Sequence, residues 1–153
     1  MRRTRLRCLA AVLVLVGLVA TPATAQRARI STVEGPGVGE KTTLSMFPHS
    51  VGEGLSLRAV GVQGRDTTRW MLMVIGVRTD TATVQISAGS TVLARTTVAN
   101  PNPQTGPHQV ALTKEDFLTL SEAETAQITV NGTTVPLPSV LQVDMKAIFR
   151  KVV

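Results

Sequence analysis

The feature that most constrains this chain is its load of side chains branched at Cβ. Between Gln26 and Val153, 40 of 128 residues are Thr, Val or Ile. Such side chains hold few rotamers and suit a pleated, half-buried surface better than a helix. They fall in short runs separated by turn residues, which predicts strands at Leu55 to Val62, Arg69 to Val77, Ala82 to Ser87, Ser90 to Val98, Gln109 to Leu112, Thr125 to Val130 and Thr133 to Leu137. The run from Trp70 to Ile75 is apolar at every position, the pattern of a central strand covered on both faces. Asn131-Gly132 between two such runs is a hairpin signal, because both positions of the tight turn need positive φ.

Two segments depart from this pattern. Thr113 precedes Lys114, Glu115 and Asp116 and then Phe117, Leu118 and Leu120, which predicts a short capped helix with its acids at the positive end of the dipole. After Pro138, Ser139 is a candidate cap for a second helix reaching about Arg150. Leu141, Met145, Ile148 and Val152 then share one stripe. Residues Leu141, Val143, Met145, Ala147 and Phe149 also alternate with polar ones, so a strand competes there; the helix is favoured by its start signal and by the lack of a β-branched run. The expected fold is mostly β: a small antiparallel β-sandwich or open barrel of about seven strands, with one short helix and a C-terminal helix, and α+β as the alternative class. The expected core is Trp70, Leu72, Val74, Ile86, Val92, Val110, Phe117, Ile128, Val130, Leu141, Met145 and Ile148.

The first 25 residues read as a secretory signal peptide. Arg2, Arg3, Arg5 and Arg7 precede the apolar run Leu9 to Ala20, and Ala23-Thr24-Ala25 has the small residues of a cleavage site. That run is about twelve residues, shorter than the roughly 20 that span a bilayer, so no stable membrane span is expected after cleavage. Residues 26–41, rich in Gly and Pro, read as a flexible leader, and residues 42–153 as a single β-rich domain. The address implied is extracytoplasmic, periplasmic or secreted. The one cysteine, Cys8, belongs to the signal, so disulfides, thiol nucleophiles and cysteine-based metal sites are not expected in the mature domain.

Cleavage also changes the charge. The chain carries +6, but without its four leading arginines it has 12 basic residues against 10 acids, a net +2. Those basic residues are scattered, and tyrosine is absent. Nucleic acid is therefore not an expected partner, since phosphate binding needs clustered Lys and Arg and base stacking needs aromatic platforms.

The motifs that could carry chemistry are few. Gly35 to Thr42 echoes a phosphate-binding loop, but Glu40 stands between the last glycine and Lys41, so no nucleotide or other cofactor is expected. His49 and Glu53 are four apart, a metal-ligand spacing on a helix, but Gly52, Gly54 and Pro48 disfavour a helix there. His108 is the second histidine. A site of His49, His108 and a carboxylate such as Glu53, Asp66 or Asp80 would require the fold to bring them together. Trp70 can stack on a ligand or close the core. No nucleophile elbow of the G-x-S-x-G form occurs. Asn131-Gly132-Thr133 matches a glycosylation sequon, but the turn geometry explains it.

Three functions are compatible with this inventory. The first is an exported, non-catalytic domain that binds another envelope or extracellular protein. The second is a carrier of a small apolar ligand between the sheet and the C-terminal helix, with Met71, Met73 and Met145 as an adaptable lining. The third is a hydrolase or metal enzyme using His49 or His108. The candidate contact residues are His49, Trp70 and His108, with no catalytic, cofactor or metal residue assigned.

Overall fold

The computed structural model describes residues 27–153, so the signal-peptide reading of residues 1–25 lies outside the described residues. In chain order the elements are β1 (Ile30–Glu34), β2 (Lys41–Ser45), β3 (His49–Gly52), β4 (Leu55–Gln63), β5 (Thr68–Ile75), β6 (Thr81–Ala88), β7 (Thr91–Ala99), β8 (His108–Leu112), α1 (Lys114–Glu122), β9 (Ala126–Val130), β10 (Thr133–Pro136) and α2 (Ser139–Val152). The strands form two antiparallel sheets. The first runs β1-β2-β4-β5-β8, with β3 beside the opening half of β4; the second runs β10-β9-β6-β7. The sheets face one another as a sandwich and do not close into a barrel.

Alternation along each strand decides which residues enter the core. Leu57, Ala59, Trp70, Leu72, Val74 and Val110 of the first sheet meet Val84, Ile86, Ile128 and Val130 of the second. The helices fill the rest of the layer with Phe117, Leu120, Leu141, Met145 and Ile148. Trp70 stands at the junction, its ring 4.9 Å from Phe117 of α1 and 5.2 Å from Phe149 of α2.

Helix α2 lies directly on the first sheet at a position without a side chain. A Cβ on Gly61 would come 2.9 Å from Ile148 Cγ2, 3.2 Å from Val152 Cγ2 and 3.3 Å from Trp70 Cζ3. The neighbouring inward positions, Thr43, Ser45 and Ala59, are also small and buried. This strip is the seat on which the helix reaches contact distance.

The helix ends follow their chemistry. Thr113 caps α1, its Oγ1 accepting from the Asp116 amide at 3.0 Å and donating to Asp116 Oδ2 at 2.7 Å. The other end of α1 has no basic side chain of its own; Gln142 of α2 donates through Nε2 to the carbonyls of Leu120 and Ala123, at 2.9 and 2.8 Å. That satisfies carbonyls that a helix terminus leaves open. The apolar stripe Leu141, Met145, Ile148 and Val152 is buried throughout, so residues 139–152 are helix and the strand alternative fails. Ser139 is the first helical residue, and Pro138 occupies the cap position expected of it.

The hairpin reading also stands. Asn131 and Gly132 have φ of 48° and 86° between β9 and β10. The Asn131 side chain is engaged too, its Oδ1 accepting from the Thr83 amide of β6 at 2.9 Å.

Four expectations need correction. The leader was expected to lack structure, yet Ile30–Glu34 pairs with β2 as an edge strand, and Gly35 to Glu40 is the turn joining them, closed by Gly35 N–H to Glu40 C=O at 2.7 Å. Strands β1, β2 and β3 were not anticipated at all. Val92 lies outside the core, 46% exposed. A β-bulge is the reason: Ile86 faces Ala94 but Ser87 faces Val92, so Leu93 is an extra residue and Val92 falls on the face opposite Ala94. Finally, β5 is not covered on both sides, since Met71, Met73 and Ile75 are only half-buried on its outer face.

Candidate functional site

The three residues singled out in sequence occupy different environments. Trp70 is core, closed in by Phe117 and Phe149, and is not available to stack on a ligand. His108 opens β8 with its side chain inward and fully buried, and neither ring nitrogen has a hydrogen-bond partner among the described residues. His49 lies on β3 and is partly exposed. The two histidines share one row across the first sheet, His49 facing Leu57, Leu57 facing Val74, and Val74 facing His108. Three strand spacings separate them, roughly 14 Å at the backbone, so they do not meet. Among the described residues no group of three His, Cys, Asp or Glu could hold a metal ion.

His49 has a carboxylate partner that sequence spacing did not select. Its Nε2 donates to Asp144 Oδ2 at 2.8 Å, because a carboxylate oxygen can only accept. The second carboxylate oxygen accepts from the Arg29 backbone N–H at 2.9 Å. Asp144 is 3% exposed and His49 19% by side chain. One carboxylate thereby ties together the chain entering β1, strand β3 and helix α2. Glu53, the partner suggested by spacing, instead sits in the turn after β3 with φ of 53°.

Around this pair lies an open groove of about 330 Å³, lined by Arg27, Arg29, His49, Val140, Val143 and Asp144. Val140 and Val143 make one wall. Neither guanidinium of Arg27 or Arg29 forms an ion pair among the described residues. The His49 ring is bonded to Asp144 and to no hydroxyl among the described residues. The arrangement presents an oriented imidazole and two free cations beside an apolar wall.

Beside the groove the β2–β3 turn carries Met46, Phe47 and Pro48. Phe47 is 59% exposed. Arg58 fixes the turn from beneath, donating through Nε to the Ser45 carbonyl and through Nη2 to the Met46 carbonyl, at 2.6 and 2.8 Å.

The outer faces of the two sheets differ in kind. Register places Leu44, Val60, Met71 and Ala111 in one outer row of the first sheet, and Val33, Thr42, Val62 and Arg69 in the next. Met73 and Ile75 continue the outer face along β5, Met73 between Arg58 and Gln109 and Ile75 beside Ser56, while Val60 and Val62 are buried within the face. Helices α1 and α2 and the second sheet all pack on the other side, where Trp70, Gly61 and Val110 point. No helix or strand among the described residues covers the outer side. The corresponding face of the second sheet is mainly polar, with Thr83, Gln85, Arg95, Thr97, Gln127, Thr129 and Thr134, and Val92 exposed among them. Arg95 donates to Gln85 there at 2.6 and 2.9 Å, and Thr129 pairs with Thr134 at 2.7 Å. Such a face is suited to water.

The phosphate-loop resemblance dissolves in the fold. Gly35 to Glu40 is a hairpin turn, and the Glu40 carboxylate is held by Arg69 Nη2 at 3.1 Å. Comparison with known proteins adds no relative: no family model, no curated protein and no solved structure matches the chain.

Proposed function

We propose that this chain is an exported, non-catalytic β-domain that binds another protein of the cell envelope or extracellular space through the outer face of its first sheet. The observation that carries the reading is the contrast between the two outer faces. A solvated sheet alternates apolar-in with polar-out, as the second sheet does. The first sheet leaves Val33, Leu44, Met71, Met73 and Ile75 partly exposed on its outer side, around the buried Val60 and Val62. Contiguous apolar surface of this kind marks an interaction site in a soluble domain, and methionine side chains adapt to a partner's contours.

A ligand carried between sheet and α2 is less well supported, because the helix sits in contact with Gly61 and Trp70 where that ligand would lie. Met71 and Met73 face away from the helix and could not line such a cavity.

The test is site-specific photocrosslinking in the cell that makes the protein. A crosslinker replaces Val33, which is 49% exposed at the margin of the apolar face; a second replaces Thr83 on the polar face. The expected result is one discrete heavier adduct from position 33 and none from position 83. Absence of any adduct at 33, or equal adducts at both, overturns the reading.

A further inference from the structure

The groove between β3 and α2 does not belong to the apolar sheet face, and its chemistry is different. Its cations are uncommitted: Arg27 and Arg29 have no carboxylate partner among the described residues. Its one carboxylate is committed. Both oxygens of Asp144 already accept, one from His49 and one from the Arg29 amide, and the side chain is buried. The remaining polar atom of the oriented ring is His49 Nδ1. The groove therefore sets two arginine side chains beside one carboxylate, and that carboxylate is shielded by its own donors. Val140 and Val143 add apolar lining from α2 to the same groove.

An occupant must bring an anion and an apolar group close together. Inorganic phosphate or sulfate answers the arginines but leaves the valine wall bare. An internal Asp or Glu answers the arginines, but on an extended chain its adjacent side chains point the other way and the next one on its own face stands roughly 6–7 Å along the chain. The last residue of a polypeptide carries its carboxylate and its side chain on the same Cα. The planar guanidinium also matches a carboxylate in two-point geometry. At about 330 Å³ the groove lies at the small end of ligand clefts, which run roughly 300–1,000 Å³. That suits the end of a chain better than its length.

We propose that the Arg27–Arg29–His49 groove binds the free C-terminal carboxylate of a polypeptide whose last residue is apolar. The site is independent of the outer-face reading: a single partner that uses both would bind the sheet through its body and the groove through its tail, but neither contact requires the other.

The experiment uses the protein as isolated from the cell that makes it and a fluorescent hexapeptide ending in valine, in three forms. One has a free carboxylate, one is amidated at its end, and one is amidated but carries an internal aspartate. Binding is read by fluorescence anisotropy at low salt. The free-acid peptide is expected to bind, with amidation weakening it about tenfold or more, the loss expected for a charge-assisted contact. The internal aspartate is expected not to restore binding. Arg29→Gln, which keeps the backbone N–H that holds Asp144, is expected to weaken the free-acid peptide about as much as amidation does. Equal binding of the acid and amide forms overturns the proposal. So does full rescue by the internal aspartate, which would make the groove a reader of any carboxylate. So does no binding of the free-acid peptide at all. The photocrosslink at position 33 is scored separately, so its loss counts against the outer-face reading and leaves the groove result intact.

Discussion

His108 is the residue whose position is least compatible with its chemistry. A buried imidazole has a donor and an acceptor to satisfy, and here neither nitrogen finds a partner among the described residues. Each unmet polar group of this kind costs about 1–3 kcal/mol. Replacing it with an apolar group of similar size removes that cost and keeps the packing. His108→Leu is therefore expected to raise unfolding stability by about 1–2 kcal/mol, read as a shift in the urea midpoint at unchanged slope. A fall in stability would mean that the ring holds a contact which leucine cannot replace. Gly61 makes the opposite case. Added to a site where a Cβ would stand 2.9 Å from Ile148 and 3.2 Å from Val152, even one methyl group must push α2 away from the sheet. Gly61→Ala is expected to cost about 1–3 kcal/mol, the range for overpacking a core. A neutral result in the same urea titration would mean that the helix can lift without loss.

At the scale of elements, the tie made by Asp144 is the feature with the clearest consequence. Strand β1 has no buried residue along its length. Besides its ladder with β2, it is anchored by the Arg29 amide on Asp144 and by the Met46 amide on the Arg29 carbonyl. Asp144→Ala leaves a backbone N–H and an imidazole N–H without an acceptor, an expected loss of about 2–3 kcal/mol. The loss should also be local. Hydrogen exchange is expected to accelerate at Arg29 and along β1 and β3, while β6 and β9, which do not touch Asp144, keep their protection. Uniform acceleration across both sheets would show that the carboxylate supports the whole fold instead.

This element also shows where sequence was informative. Strands β4 to β10 and both helices were legible because their apolar and β-branched runs show a period and their turns have their own chemistry, as at Asn131-Gly132. Strands β1 to β3, no shorter than β8 to β10, were not legible: they lie among glycines and prolines, and the residues that β2 buries, Thr43 and Ser45, are polar. Val92 was misplaced because a bulge shifts the face of a strand without leaving a mark in the alternation. Asp144 did leave a signal. It stands three residues after Leu141 and four before Ile148, inside the apolar stripe of α2, and a carboxylate in that position must find donors. His108 left one too, since it extends the inward series of Val110 and Leu112 by one step. The pairing of Asp144 with His49 was beyond any local pattern, because the two are 95 residues apart.

The described residues form a sandwich whose first sheet leaves more apolar side chains on its outer face than the second does, and that asymmetry is open to a direct test. Met71 and Met73 are only half-buried, and both point away from α1, α2 and the second sheet. Exchanging them for glutamine preserves length and flexibility while making the face polar. Away from packed sites such changes usually shift stability by no more than about 0.5 kcal/mol each. The double variant Met71→Gln/Met73→Gln is therefore expected to melt within a few degrees of the parent. It is also expected to lose the adduct that a crosslinker at position 33 forms in the cell. A matched change on the second sheet, Thr83→Lys with Thr97→Lys, should leave that adduct intact. Apolar faces also drive self-association, so sedimentation of the purified parent and the double variant separates the two sources of contact. If the parent sediments as a monomer and the double variant still loses its adduct, the face is reserved for a different protein. If the parent sediments as a dimer that the double variant abolishes, the apolar face is covered by a second copy of this chain, and the proposal of a separate envelope partner fails.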